Sequence, residues 1–155
     1  MEHHNIEPVY NKESRILILG SFPSVKSREA QFFYHHPQNR FWKILGIVFE
    51  DDIPKTIDDK KNFLLKHHIA VWDVIESCDI KGSSDSSITN VKVNDLDKII
   101  EHGHIEHIYT NGNLADKYYH LYFNYDIPCD KLPSSSPANA SYSLEKLLQY
   151  WKKIR

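Results

Sequence analysis

The stretch RILILGSFPS, residues 15–24, decides the architecture. Its apolar residues run consecutively from Ile16 to Leu19 instead of alternating, the pattern of a strand covered on both faces, as at the centre of a parallel sheet. Gly20 and Pro23 then end the strand in a turn. Two further runs, Ile69–Val74 and His107–Thr110, share this character, and a weaker one lies at Cys129–Leu132. Helical patterns fall between them. Phe41, Ile44, Leu45 and Val48 recur at helical spacing after Asn39, and Ile57–His67 follows Thr56, which with Asp59 resembles a capping box. Asn94 to Asp97 opens another helix in the same way, Asn113 is placed to cap a further one, and Leu144, Leu147, Leu148 and Trp151 form a final amphipathic stripe.

Strands alternating with helices predict an α/β/α sandwich of three layers with a short, mainly parallel four-stranded sheet. Ligands of such sheets sit at the carboxyl ends of the strands. Here those ends are Gly20–Ser27, Trp72–Ser77, Asn111–Asn113 and Pro133–Asn139.

The 155 residues suit one domain spanning 1–155, and a 41% hydrophobic content can fill its core. Nineteen basic and 21 acidic residues leave a formal charge of -2, so nothing global marks a polyanion binder and any nucleic-acid contact has to be local. The two cysteines, Cys78 and Cys129, lie far apart, which fits a reduced cytoplasmic protein and is too few for an iron–sulfur cluster. Met1–Tyr10 lacks the basic and apolar segments of a signal peptide, and no run approaches the roughly 20 apolar residues of a membrane helix. His102, His104 and His107 invite a zinc site, but a helix end followed by a strand should point their rings apart, so no metal and no cofactor are expected.

Three segments carry candidate chemistry, and each also has a plain structural reading. Gly20-Ser-Phe-Pro-Ser24 offers small residues at a strand end where backbone N–H groups can approach a ligand, or it is simply a strand-to-helix turn. Phe32–Trp42, FFYHHPQNRFW, sets aromatics around a single carboxamide, Asn39; it is either core plus a helix cap or a platform for a flat heterocycle. Leu132–Ser141, LPSSSPANAS, can hold phosphates through hydroxyls and backbone N–H groups, or it is a serine-rich turn. Asp73, at a strand end, is an acceptor for a ligand N–H or a structural acid.

Together and in order, these segments resemble the uracil-DNA glycosylase superfamily. Gly20-Ser-Phe-Pro23 matches its first motif and Pro133–Asn139 its last. His36–Lys43, HPQNRFWK, looks like the mismatch-specific branch. The fuller match is to the hypoxanthine-DNA glycosylase branch, at Gly20–Ser24, Asn39–Trp42, Trp72–Ile75, Gly82–Ile88 and Leu132–Ala140.

The resemblance implies a monofunctional enzyme, a monomer acting on damaged DNA, that flips a deaminated base out of the duplex and hydrolyses its glycosidic bond. It places catalysis on Asn39, whose amide is not basic and can only hold a water or stabilise the departing base. Phe22, Tyr34, Asp73 and Asn111 would line the base; Ser21, Ser24, Ser134, Ser135, Ser136 and Asn139 would meet DNA. An ionised Asp73 would accept the N1–H of hypoxanthine and repel the N1 acceptor of adenine. Phe22 stands where related branches carry a polar catalytic group, and Leu132 replaces the histidine of the uracil branch. Efficient uracil removal is therefore not expected. The alternatives are a glycosylase for uracil or thymine opposite guanine, and a non-catalytic nucleic-acid-binding domain on the same fold.

Overall fold

A computed structural model describes residues 1–155. Four parallel strands form the central sheet in the order β3-β2-β6-β7, namely β2 (Ile16–Gly20), β3 (Ile69–Asp73), β6 (His107–Asn111) and β7 (Cys129–Leu132). As the unbroken apolar run requires, β2 is central, and Leu17, Ile18 and Leu19 are wholly buried. Helices α2 (Phe41–Val48), α3 (Ile57–Lys66), α5 (Asn113–Tyr122) and α6 (Leu144–Trp151) cover the sheet, with α3 against β3, α5 against β6, and α2 against α6. The result is the expected three-layer arrangement.

A second sheet was not foreseen. The short strands β1 (Glu2–His3), β4 (Ile75–Asp79) and β5 (Thr89–Val93) pair antiparallel in the order β1-β4-β5. The apolar run through Val74 is therefore two strands, and the chain leaves the parallel sheet after Asp73. Asn94 fixes this departure. Its side chain donates to the Asp73 carbonyl (2.8 Å) and its N–H to the Val74 carbonyl (2.8 Å). Buried in that role, Asn94 does not cap α4 (Asp97–His102), whose N-cap is Leu96.

The helix caps fall partly as expected. Thr56 accepts from the Asp59 N–H at 3.0 Å and starts α3. Asn113 is the first residue of α5 and not its cap; that place belongs to Gly112, whose φ of 98° disfavours a side chain. A short helix α1 (Val25–Ala30), absent from the periodicity, follows the first turn. No helix is long and apolar enough to cross a membrane.

Candidate active site

The carboxyl ends of β2, β3 and β6 open into one cleft lined by Gly20–Ser24, Phe33, Tyr34, Asn39, Asp73, Asp85, Asn111 and Ser134–Ser136. The topology thus gathers at one place the segments singled out in the sequence.

Asn39 sits just before α2 and half out of solvent. Its Oδ1 accepts two hydrogen bonds, from the Phe41 N–H (3.0 Å) and from the Ser135 hydroxyl (2.9 Å). A backbone N–H is a donor with no alternative, so the amide cannot be flipped without setting two donors against each other. The carbonyl side of Asn39 is thereby used up. Its NH₂ is the group left for the cleft.

Ser135 is fully buried, which overturns its expected place at a phosphate. Its N–H donates to Asn111 Oδ1 (3.0 Å), and its hydroxyl accepts from Asn111 Nδ2 (3.0 Å) while donating its O–H to Asn39 Oδ1. Asn111 lines the cleft as expected, but both ends of its amide are engaged by Ser135. It orients the chain Asn111–Ser135–Asn39. Gly112 lets Ser134 approach closely, since a Cβ there would stand 3.1 Å from the Ser134 Cβ.

Arg40 was missed in the sequence. Its guanidinium donates to the carbonyls of Ser135 (3.4 Å), Ser136 (2.8 Å), Asn139 (3.1 Å) and Tyr142, and its backbone N–H reaches the Ser135 carbonyl (3.1 Å). Trp151 Nε1 adds a bond to the Pro133 carbonyl (2.9 Å). One arginine adjoining Asn39 thus holds most of the serine loop's backbone, without any negative side chain. A carbonyl-binding arginine leaves no trace in charge pairing, so nothing in the sequence marked it.

The remaining expected contacts divide. Ser21 lines both this cleft and a neighbouring groove that continues past Asn113, Lys117, Lys131, Asn139, Tyr142 and Tyr150. Ser24 reaches the cleft, but its hydroxyl caps α1 by accepting from the Ser27 N–H (3.2 Å). The hydroxyls of Ser134 and Ser136 accept from the N–H groups of Ser136 and Ala138, each at 3.1 Å, and Asn139 donates to the Ser134 carbonyl at 3.0 Å. These bonds set the loop's shape. Phe22 is buried beneath the cleft, edge-on to the His4 ring at 5.4 Å and with the Arg28 guanidinium 5.2 Å from its centre.

Tyr34 stacks on Phe41 with ring centres 3.9 Å apart and has a left-handed φ of 50°. A bulky residue takes that backbone conformation only where its surroundings impose it. Asp73 faces Gly20 across the β2–β3 pairing. A Cβ on Gly20 would overlap the Asp73 carboxylate and stand 2.8 Å from the Tyr34 hydroxyl, so only glycine allows both groups to close over the strand end. Burial pushes the Asp73 carboxyl up to about 7. Burial, and then the Asp73 charge, hold the Tyr34 phenol far above its ordinary range, so it remains a donor. Asp85 stands at the mouth, exposed on one side, with its carboxyl raised by the surrounding protein.

No three candidate metal ligands meet in the cleft. Elsewhere Asp116, His120 and Cys129 approach one another, with Thr110 donating to Asp116 at 2.8 Å. Of the histidines first considered, His107 pairs with Asp130 at 2.8 Å, and His102 packs edge-on against Tyr10.

The Uracil DNA glycosylase superfamily pattern matches residues 7–155. A protein of Methanosarcina acetivorans named hypoxanthine DNA glycosylase is 35% identical over 137 residues, 87% of each chain. One of the same name from Methanosarcina barkeri is 27% identical over 141 residues, covering 90% of this chain and 89% of its own. A solution NMR structure of a Methanosarcina acetivorans protein, described as a candidate uracil DNA glycosylase, superposes with a TM-score of 0.86 at 30% identity over 98% of this chain and 95% of that one. The match spans the strand ends, the Asn39 segment and the serine loop that together build the cleft, and the chain belongs to the uracil DNA glycosylase superfamily.

Proposed function

We propose that this protein is a monofunctional DNA glycosylase of base excision repair that removes hypoxanthine from deoxyinosine. The observation that carries the reading is the double hydrogen bond on Asn39 Oδ1, which leaves an amide donor facing a cleft large enough to be shared with aromatic Tyr34 and acidic Asp73. The names of the Methanosarcina relatives support the same substrate.

The reaction breaks the bond between C1′ and N9 of the flipped nucleotide. The purine leaves with the electron pair and is protonated, while a water oxygen bonds to C1′ and gives up its proton. An amide donor suits this chemistry at the leaving base. It stabilises negative charge growing on the purine, and a fixed donor costs no reorganisation as that charge develops. Phe22 supplies no polar catalytic group, and at a separate position Leu132, fully buried, supplies no histidine to stabilise the departing base. Rate then depends on leaving-group stabilisation, and hypoxanthine spreads negative charge better than adenine.

DNA would lie along the groove past Lys117 and Lys131, whose charges offset a chain of overall charge -2. Ser21, Ser24, Ser134, Ser136 and Asn139 border the route of its phosphates. Flipping costs a few kcal/mol, offset by phosphate contacts and by the base's contacts in the cleft.

The test is incubation with labelled duplexes carrying inosine, uracil or a G:T mismatch, followed by alkali. Scission of the inosine duplex only after alkali is the expected result. Scission without alkali would overturn the monofunctional assignment, and scission of the uracil or G:T duplex alone would move the protein to the mismatch-specific reading. No scission would leave a binding domain.

A further inference from the structure

The floor of the cleft holds two polar atoms that the protein itself leaves unsatisfied. Asp73 is 3% exposed, and its Oδ2 has no hydrogen-bond partner. The Tyr34 hydroxyl is likewise buried without a partner. No lysine, arginine or histidine lines the cleft to neutralise Asp73. Orphaned groups of this kind are costly, a charged one most of all, and persist where a ligand completes them. Both crowd over Gly20, and Tyr34 holds a disfavoured backbone angle to get there.

One is an acceptor and the other a donor, a few ångströms apart. Deamination turns an amidine edge, ring nitrogen acceptor beside an NH₂ donor, into a lactam edge, ring N–H donor beside a carbonyl acceptor. We propose that Asp73 and Tyr34 form a two-point reader of the lactam edge, and that protonation of Asp73 converts it to a group that also accepts the amidine edge of adenine. The carboxylate receives the ring N–H while the phenol donates to the neighbouring carbonyl. Once protonated, the acid donates its O–H to adenine N1 and its C=O accepts from the exocyclic amine. The reader therefore checks the mark left by deamination, not the identity of one base.

This inference rests on the reading of the cleft as a flipped-base site. The burial that brings the Asp73 carboxyl up to about 7 sets the switch near neutrality. Gly20 from β2 and the Tyr34 phenol stand against Asp73, and Asn111 from β6 and Asp85 at the mouth line the same cleft. Of these only Asp85 is a further acid, and burial alone raises the Asp73 carboxyl.

The experiment measures binding of the full chain to duplexes whose inosine or adenosine carries a 2′-fluorine, which blocks glycosidic cleavage. The wild type should prefer inosine by about tenfold or more at about pH 8, with the preference shrinking several-fold by about pH 5.5. Asp73→Asn should lose the pH dependence, because its amide offers a donor and an acceptor at every pH. Tyr34→Phe should weaken the inosine preference and keep the pH dependence. A wild-type preference that does not change with pH, or an Asp73→Asn profile equal to wild type, overturns the inference. Because no bond is cleaved, the outcome separates from that of the excision assay: discrimination without excision removes the catalytic reading alone, and excision without discrimination removes the reader alone.

Discussion

The Ser135 hydroxyl donates to Asn39 Oδ1 at 2.9 Å across 96 residues of sequence, joining the serine loop to the start of α2. Together with the Phe41 N–H, this bond fixes which end of the Asn39 amide faces the cleft. Ser135→Ala removes one of the two bonds that fix the amide, and one such bond is worth about 1 kcal/mol. Single-turnover excision should fall about fivefold, while affinity for undamaged duplex stays unchanged. An equal loss in both would instead make Ser135 a general support of the DNA surface.

Arg40 holds four carbonyls of the same loop, and its planar fork does so with several donors in fixed directions. A lysine keeps the charge and loses the fork. Arg40→Lys should destabilise the fold by about 2 kcal/mol in urea and expose Ser134–Asn139 to limited proteolysis. Unchanged protease resistance would show that Trp151 and the loop's internal bonds suffice.

Gly20→Ala places a methyl group against the Asp73 carboxylate and the Tyr34 hydroxyl. Excision should drop by roughly a hundredfold as the cleft floor is displaced. Non-specific DNA binding, which the proposed function assigns to the groove, should persist. A gel-shift assay beside the excision assay checks both.

Asp73 should make the protein less stable as pH rises. Its carboxyl lies at about 7 when folded and near the ordinary aspartate value, about 3.9, when unfolded. Between these limits the folded state holds the proton more tightly, so raising the pH costs stability, on the order of a few kcal/mol by pH 8. Asp73→Asn should therefore exceed the wild type in urea at pH 8, and the gap should close toward about pH 4. A gap independent of pH would mean that the acid is not desolvated in the folded state.

The sequence made the parallel sheet and the cleft legible, because a doubly covered strand must be continuously apolar and ligands gather at its carboxyl end. The second sheet was hidden since Ile69–Val74 and Ile75–Asp79 abut with no turn residue between them, and only Asn94, distant in sequence, marks the break. Asn39, Tyr34, Asp73 and Asn111 all reach the cleft as expected. What could not be read was the direction of each polar group. Ser135 stands in a run of three serines that looks uniformly exposed, yet the second is buried and its neighbours are not. Arg40, one residue from Asn39, gave no sign because its partners are carbonyls.

The central claim is that Asn39 acts as a donor to the departing base. Asn39→Asp tests it most directly, since one carboxylate oxygen can still accept from Phe41 and Ser135 while the other faces the cleft as an acceptor. Single-turnover excision of hypoxanthine from an inosine duplex at neutral pH should fall by at least about a hundredfold. Activity equal to or above wild type would contradict the account, and would mean that the group at position 39 works by accepting a proton from water.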